Sequence, residues 1–397
     1  MTFYSFFLEY KWVLLFYSIV ILLIYLNRSR FEFQGKIVAL LRTKKGIDTI
    51  HRIGKKHSEL IKIIGYIGIG IGFIGLLAIS GMMIKALWDL FFIPNAPPAV
   101  TPVIPGVKIP GSPIFVPLFY GIFALFFVVV IHEFSHGIVA AAHGLKIKST
   151  GIAFFGPIIG AFVEPDEKEL IKKEDTAQYS IYAAGPFSNI LLGLFALAIM
   201  AFVLTPINGA INNDVGVTFT AVQNNTPAEK YGLTPNMTII KIDDSNVKNM
   251  NDFQSFLDTT RPNQTITIYS SDGKVTNLTM TAHPDNPKKG YMGIIGSRTV
   301  TKLKVEDTLF KGIDMIIKFF AELFFWIYLL SLGIGLANLL PIGPVDGGRM
   351  LQVALRKTTG NDKKGDAIWG KITVITILVL LVLVFVPILK TIFSAVF

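Results

Sequence analysis

The hydrophobic and polar positions of this chain follow two different patterns. Long stretches almost free of charge recur near residues 11–27, 61–84, 116–142, 181–204, 314–337 and 372–395. Each is long enough to cross a hydrocarbon core of about 30 Å as a helix. Between residues 208 and 300 the chain turns polar and rich in Asn and Thr, with short alternating segments such as "QTITIYS" and "KVTNLTMTA", which is the period of β-strands. The pattern therefore predicts an α-helical polytopic membrane protein with about six transmembrane helices and an inserted soluble β-rich domain. One segment fits neither class. "GIAFFGPIIGAFVEPDEKEL", starting at Gly151, is too short and too rich in glycine to cross. It reads as a re-entrant or edge-strand segment that lines a cavity or is buried in protein, or as a loop resting at the interface.

The composition, 52% hydrophobic and 16% charged, places the chain among integral membrane proteins. The first apolar run has no basic start and no small-residue cleavage site after it, so it is taken as a span rather than a secretory leader. A formal charge of +10 raises the question of nucleic acid, but the distribution answers it. Arg28, Arg30, Lys36, Arg42, Lys44, Lys45, Arg52, Lys55 and Lys56 crowd the loop after the first span, as they do where a loop stays in the cytoplasm. No nucleic-acid partner is expected; the partner is the lipid bilayer. With loop 28–59 inside, the proline-rich connector 93–113 and residues 205–306 fall outside. Loop 144–177 and the loop carrying Arg356, Lys357, Lys363 and Lys364 fall inside. Sequons at Asn224, Asn236, Asn263 and Asn277 suit an external face but arise easily in a Thr-rich stretch.

The third span ends in "VVVIHEFSHGIVAAAHG", where His132, Glu133 and His136 interrupt an apolar helix. Each ionisable group near a bilayer centre costs roughly 2.5 kcal/mol or more, so three at one depth call for a compensating partner. Positions 132 and 136 share a helix face and can converge on one ion, with Glu133 one residue round from the first. This is the HExxH spacing of zinc hydrolases, in which the Glu takes a proton from a water whose pKa the ion lowers to about 7. The alternative is a trio merely hydrogen-bonded within the bundle. The chain has no cysteine, so a metal must be held by imidazole and carboxylate. A hydrolytic zinc site needs a third protein ligand. Glu164 and Asp166 lie in a charge-dense loop, His143 near the helix end, His51 and His57 in the basic loop, and His283 in the soluble insert. Asp346 in "NLLPIGPVDGGRM" remains, either as that ligand or as an Asp-Gly turn that breaks a helix.

"HEFSHG" in one span, "AAGPFSNILLG" in the next and "NLLPIGPVDGG" after a soluble insert together resemble the site-2 protease family of intramembrane zinc metalloproteases. The resemblance covers about residues 115–205 and 305–357. It implies one Zn2+ per chain held by His132, His136 and Asp346, with Glu133 as general base. Gly185, Pro186 and Asn189 correspond to the family's GPxxN motif, on the substrate-binding side. Asn338 corresponds to the Asn before the Asp motif, where an amide can hold the substrate strand or the oxyanion. The Asp motif departs from the family by one residue, with Val345 where Leu is usual. "NNTPAEKYGLTPNMTIIKIDD" resembles a PDZ domain of the protease-associated type. "GYMGI", with Gly290, Tyr291 and Gly293, then corresponds to the loop that receives a peptide carboxylate.

The expected organisation is an N-terminal extension with two spans and the basic loop (1–110), a first half of the protease core (111–207), an extracytoplasmic PDZ-like domain (208–304) and a second half of the core (305–397). The expected activity is hydrolysis of peptide bonds in or near the transmembrane segments of membrane-protein substrates, with the active site toward the cytoplasmic side and the protein in the cell membrane. Two rivals are a non-catalytic scaffold that uses its PDZ-like insert, and a metal transporter. A transporter would spread ionisable residues through several spans, whereas here they gather at one level.

Overall fold

The computed structural model describes residues 3–35, 38–93, 98–109, 112, 114–155, 158–284 and 286–396. Lys36 of the basic loop, 94–97, 110, 111 and 113 of the connector, and 156–157 of the glycine-rich segment lie outside the described residues. Among the described residues, six helices are long and apolar enough to cross a membrane: Phe7–Leu26, Ser58–Phe92, Leu118–Ala142, Asp175–Ile211, Thr308–Ala337 and Asp362–Lys390. The chain divides into two compact units, Met1–Met200 with Ala321–Phe397, and Ala201–Phe320.

The first unit opens with α1 (Phe3–Leu26), β1 (Glu32–Gln34), β2 (Val38–Thr43), α2 (Ile47–Lys56) and α3 (Ser58–Phe92). It continues with α4 (Leu118–Ala142), β3 (Ile147–Phe155), β4 (Ile158–Pro165), the one-turn α5 (Glu167–Leu170) and α6 (Asp175–Ile199). The second unit holds α7 (Thr205–Ile211), β5 (Asn212–Thr218), β6 (Ala221–Val222), α8 (Pro227–Lys230), β7 (Thr238–Ile242), β8 (Ser245–Asn246) and α9 (Met250–Thr259). After these come β9 (Thr265–Ser270), β10 (Val275–Thr279), β11 (Thr281–His283), β12 (Asn286–Tyr291), β13 (Ile294–Ile295) and β14 (Arg298–Leu303). α10 (Thr308–Ala337) starts in the second unit and ends in the first, followed by α11 (Asp346–Thr359) and α12 (Asp362–Val396).

Apart from His132, Glu133, Ser135 and His136, α4 is apolar all round, as a helix is when it is buried in protein or lipid. It ends in a Schellman turn. Gly144 takes φ +76°, its N–H donates to the Ala141 carbonyl at 3.0 Å, and the Leu145 N–H reaches back to Ala140 at 2.9 Å. That closes the last carbonyls of the helix and turns the chain at once into β3. The β3–β4 hairpin joins an antiparallel sheet in the order β1-β2-β3-β4, with Val38 to Thr43 of β2 paired against Phe155 to Thr150 of β3.

This pairing revises the reading of loop 28–59 as a basic loop. Charge marks it as such, but the apolar run in "VALLRT" adds a strand to a sheet whose other half follows the HExxH helix. Arg42 ties the sheet together. It bonds Glu32 at 2.7 Å and Ser149 at 2.8 Å, and forms an ion pair with Glu164. Glu164 is thus spoken for as a sheet staple. The next helix packs just as closely: Ile50 is fully buried among Val139, Ala140 and Ala141, and a Cβ at Gly54 would stand 2.7 Å from that of Ala141. α2 and the start of α3 therefore share one core with the HExxH helix. Of the two readings of residues 151–163, the strand is what forms.

The second unit has a mostly antiparallel sheet of order β10-β9-β7-β5-β14, with β8 beside β7, and separate pairs β11–β12 and β13–β6. Its core is its own: Phe219, Phe253, Ile239, Ile242, Ile266, Ile268 and Leu278 are all buried in one cluster.

Candidate metal centre

α4 places His132 and His136 one turn apart, with their ring centroids 4.8 Å apart. Both face Asp346, the first residue of α11. The turn reading of Asp346 gives way here, because the Asp-Gly-Gly run starts a helix instead of breaking one. The two imidazole Nε2 atoms are 3.2 Å apart, and they lie 3.2 and 3.3 Å from the Asp346 carboxylate oxygens. A tetrahedral ion with bonds of about 2.0–2.1 Å would separate its ligand atoms by about 3.3 Å. The three groups fit such an ion. Among the described residues no other group of His, Asp and Glu side chains has this disposition.

The outer nitrogens are occupied in the way a metal-binding imidazole requires. His136 Nδ1 stands 2.6 Å from the Ile181 carbonyl of α6, which holds the proton on Nδ1 and leaves Nε2 free to ligate. Pro186 lies inside α6 and has no N–H for the Tyr182 carbonyl, one residue after Ile181. His132 Nδ1 is 3.1 Å from the Asn189 amide, whose Oδ1 is buried without a partner. Turning the amide over puts that orphaned oxygen on an Nδ1–H, which satisfies both atoms and frees Nε2 for a metal. Asn189 is fully buried, and Ser331 of α10 donates to its carbonyl at 2.7 Å. It therefore sits behind His132 rather than on an open substrate wall.

Gly185 is equally specific. A Cβ there would fall 2.3 Å from His136 Nε2 and 2.6 Å from His132 Nε2, so only glycine lets α6 come this close to the two metal-facing nitrogens. Glu133 is anchored from another side, its Oε2 accepting the Val163 N–H of β4 at 3.1 Å. The start of α11 is folded tightly on the segment before it: the Gly347 N–H donates to the Asn338 carbonyl at 2.7 Å, and Cβ atoms at Gly347 or Gly348 would overlap Leu339 and Ile342 backbone. Asn338 is half-buried, and among the described residues its carboxamide has no hydrogen-bond partner. The Asp346 carboxylate faces the Nε2 atoms of both His132 and His136. It is a ready anionic ligand.

The remaining candidates are elsewhere. Asp166 caps α5, accepting from the Lys168 and Glu169 N–H groups at 2.9 and 3.3 Å. His143 closes α4, 3.3 Å from Ser180 Oγ. Gly290, Tyr291 and Gly293 belong to the second unit. Gly293 takes φ +86° with its Cβ position 2.2 Å from Thr226 Oγ1, and the Tyr291 hydroxyl donates to the Gln223 carboxamide. The sequence did not point to the Val163 N–H or the Ile181 carbonyl, because backbone groups have no signature in residue type.

The chain is 28% identical over 345 residues to an uncharacterised protein of Methanocaldococcus jannaschii, covering 85% of this chain and 83% of that one. It is 25% identical over 310 residues to a candidate zinc metalloprotease of Clostridium acetobutylicum (66% of this chain, 88% of the relative). A candidate protease of Enterococcus faecalis, Eep, is 24% identical over 205 residues, covering 42% and 48%. The profile of Peptidase family M50 matches residues 120–381, a stretch that takes in the imidazole pair, the GPxxN helix and Asp346. The chain belongs to Peptidase family M50, the site-2 protease family of membrane zinc metalloproteases.

Proposed function

We propose that this protein cleaves peptide bonds within or near the transmembrane segments of other membrane proteins, with His132, His136 and Asp346 holding one zinc ion and Glu133 acting as general base. The observation that carries the reading is the convergence of two imidazoles and one carboxylate at 3.2–3.3 Å, beside an acid on the same apolar helix. Zinc held there would supply Lewis-acid polarisation and make a water acidic enough to attack near neutral pH. Glu133 takes the proton, and the Val163 N–H fixes the carboxylate that receives it. Asn189 and Gly185 act on the imidazoles, the first by orienting His132 and the second by making room. Asn338 stands one backbone hydrogen bond from the start of α11, with an amide free to meet substrate.

A helical substrate hides its carbonyls, so the scissile stretch has to be extended. β4 offers it an edge. Since the Val163 N–H points away from β3 to Glu133, strand alternation turns the N–H groups of Ala161 and Ile159 the same way, and among the described residues no strand pairs with that edge of β4. A substrate strand added to this edge would come under Glu133. Apolar side chains would find room in a cavity of about 800 Å3 lined by Phe16 of α1, Phe126 and Phe134 of α4, and Ile159 and Phe162 of β4.

The second unit is assigned as a PDZ-like domain on the extracytoplasmic side, whose Gly290–Gly293 segment, running off the end of β12, receives the end of a peptide chain. The metal centre lies toward the cytoplasmic face of the cell membrane. The decisive experiment compares wild type with Glu133→Gln in detergent on single-span substrates. Zinc content should be unchanged and cleavage lost. A Glu133→Gln protein that still cleaves would remove Glu133 from the chemistry, and a wild type that cleaves nothing while binding peptide through its second unit would favour the scaffold.

A further inference from the structure

α3 lies outside the stretch matched by the family and supplies none of the three ligands, yet it carries a row of glycines with an uneven environment. Gly70 and Gly81 have nothing within 4 Å of a Cβ position. Gly72 and Gly75, on another face, touch the elements that carry Asp346. A Cβ at Gly75 would stand 2.4 Å from Leu339 Cδ1, and one at Gly72 would stand 2.9 Å from Met350 Cε and 3.3 Å from Ala183 Cβ. Leu339, Met350 and Ala183 are all fully buried in one cluster, so none can swing aside into open space.

Each of these contacts leads to the metal centre in one or two steps. Leu339 follows Asn338, whose carbonyl holds the Gly347 N–H, and its own carbonyl lies 2.2 Å from where a Gly347 Cβ would be. Met350 is one turn along α11 from Asp346 and on the same face. Ala183 precedes Gly185 on α6, the helix that backs the two imidazoles. We propose that Gly72 and Gly75 are positioning residues for the zinc ligand Asp346: their bare backbone lets α3 press Leu339 and Met350 into the places that aim the carboxylate at the imidazole pair. Close-packed interiors transmit such displacements instead of absorbing them. The inference rests on the metal-site reading above.

The test measures zinc affinity by chelator competition, and melting with and without zinc, on the full chain in detergent. The variants are Gly75→Val, Gly72→Val, the control Gly70→Val, and Gly75→Val combined with Leu339→Ala to clear the space. We expect Gly75→Val and Gly72→Val to weaken zinc binding by about tenfold or more, the scale on which groups behind metal ligands act. Gly70→Val should bind as wild type, and the double variant should recover most of what Gly75→Val loses. Metal-free melting should fall in Gly75→Val because the buried site is overpacked, but zinc should raise its melting temperature less than that of Gly70→Val, which a merely structural role would not give. Equal zinc affinity in Gly75→Val and wild type would overturn the inference, as would a loss that Leu339→Ala does not relieve. If Gly75→Val does not accumulate, Gly75→Ala carries the same comparison. A wild type without zinc affinity would overturn the metal centre and this inference with it, whereas a zinc-binding wild type with an equally good Gly75→Val overturns the inference alone.

Discussion

At the scale of single residues, the centre depends as much on what is missing behind the ligands as on the ligands. Gly185 leaves a gap that two imidazoles fill, and its replacement is a steric question with one answer. Gly185→Ala would put a methyl 2.3 Å from His136 Nε2, and the ring has to move. We expect zinc affinity to fall by about tenfold or more, as when groups behind metal ligands are altered, with isothermal titration as the check. Asn189→Ala makes the complementary error, removing an orienting partner without adding bulk. The loss of an outer partner of a metal-bound imidazole costs about 10–100-fold in metal affinity or activity. Because Asn189 is fully buried, water cannot take its place freely. Wild-type affinity in Asn189→Ala would show that His132 is oriented by the helix alone.

At the scale of elements, β4 is the piece whose chemistry is most exposed to test. Ala161→Pro deletes an N–H that faces away from β3, so the β3–β4 ladder keeps its bonds while the free edge loses a donor. Gly160→Pro deletes an N–H on the β3 side, opposite Ala153. Ala161→Pro should hold zinc and lose cleavage, and Gly160→Pro should lower the melting temperature as well. Cleavage unchanged in Ala161→Pro would discard strand addition at this edge. These elements also mark how far the sequence could be read. The crossing helices are legible because some twenty apolar residues in a row suit little besides a bilayer, and HExxH is legible because a helix repeats its face every fourth residue. β1 and β2 are masked by the basic residues around them, and the strand that ties this pair to the sheet, β3, is more than 100 residues from β2, so nothing local announces that pairing. The start of α11 is hidden for a different reason: "PIGPVDGG" has the composition of a turn, and only packing on Leu339 and Ile342 shows why two glycines open a helix there. Asn189 is legible as a motif residue but not as a partner of His132, since that depends on which way an interhelical face points.

At the scale of the whole molecule, the division into two units has a thermodynamic consequence. All three ligand residues and every group that orients them lie in Met1–Met200 and Ala321–Phe397, while the buried cluster of the second unit runs only from Val217 to Met292. A cavity opened in one core should then be felt in that core and not at the metal. Phe253 is 2% exposed in the middle of the second cluster, and its truncation to alanine should cost about 3–5 kcal/mol there. Scanning calorimetry of the full chain in detergent, with and without zinc, would separate the two possibilities. With independent units, Phe253→Ala moves a transition that zinc does not affect, and the zinc-dependent transition stays where it was. Displacement of both transitions together would mean that the units unfold as one. In that case the second unit contributes to the stability of the membrane core, and the zinc-dependent transition would report on both cores at once.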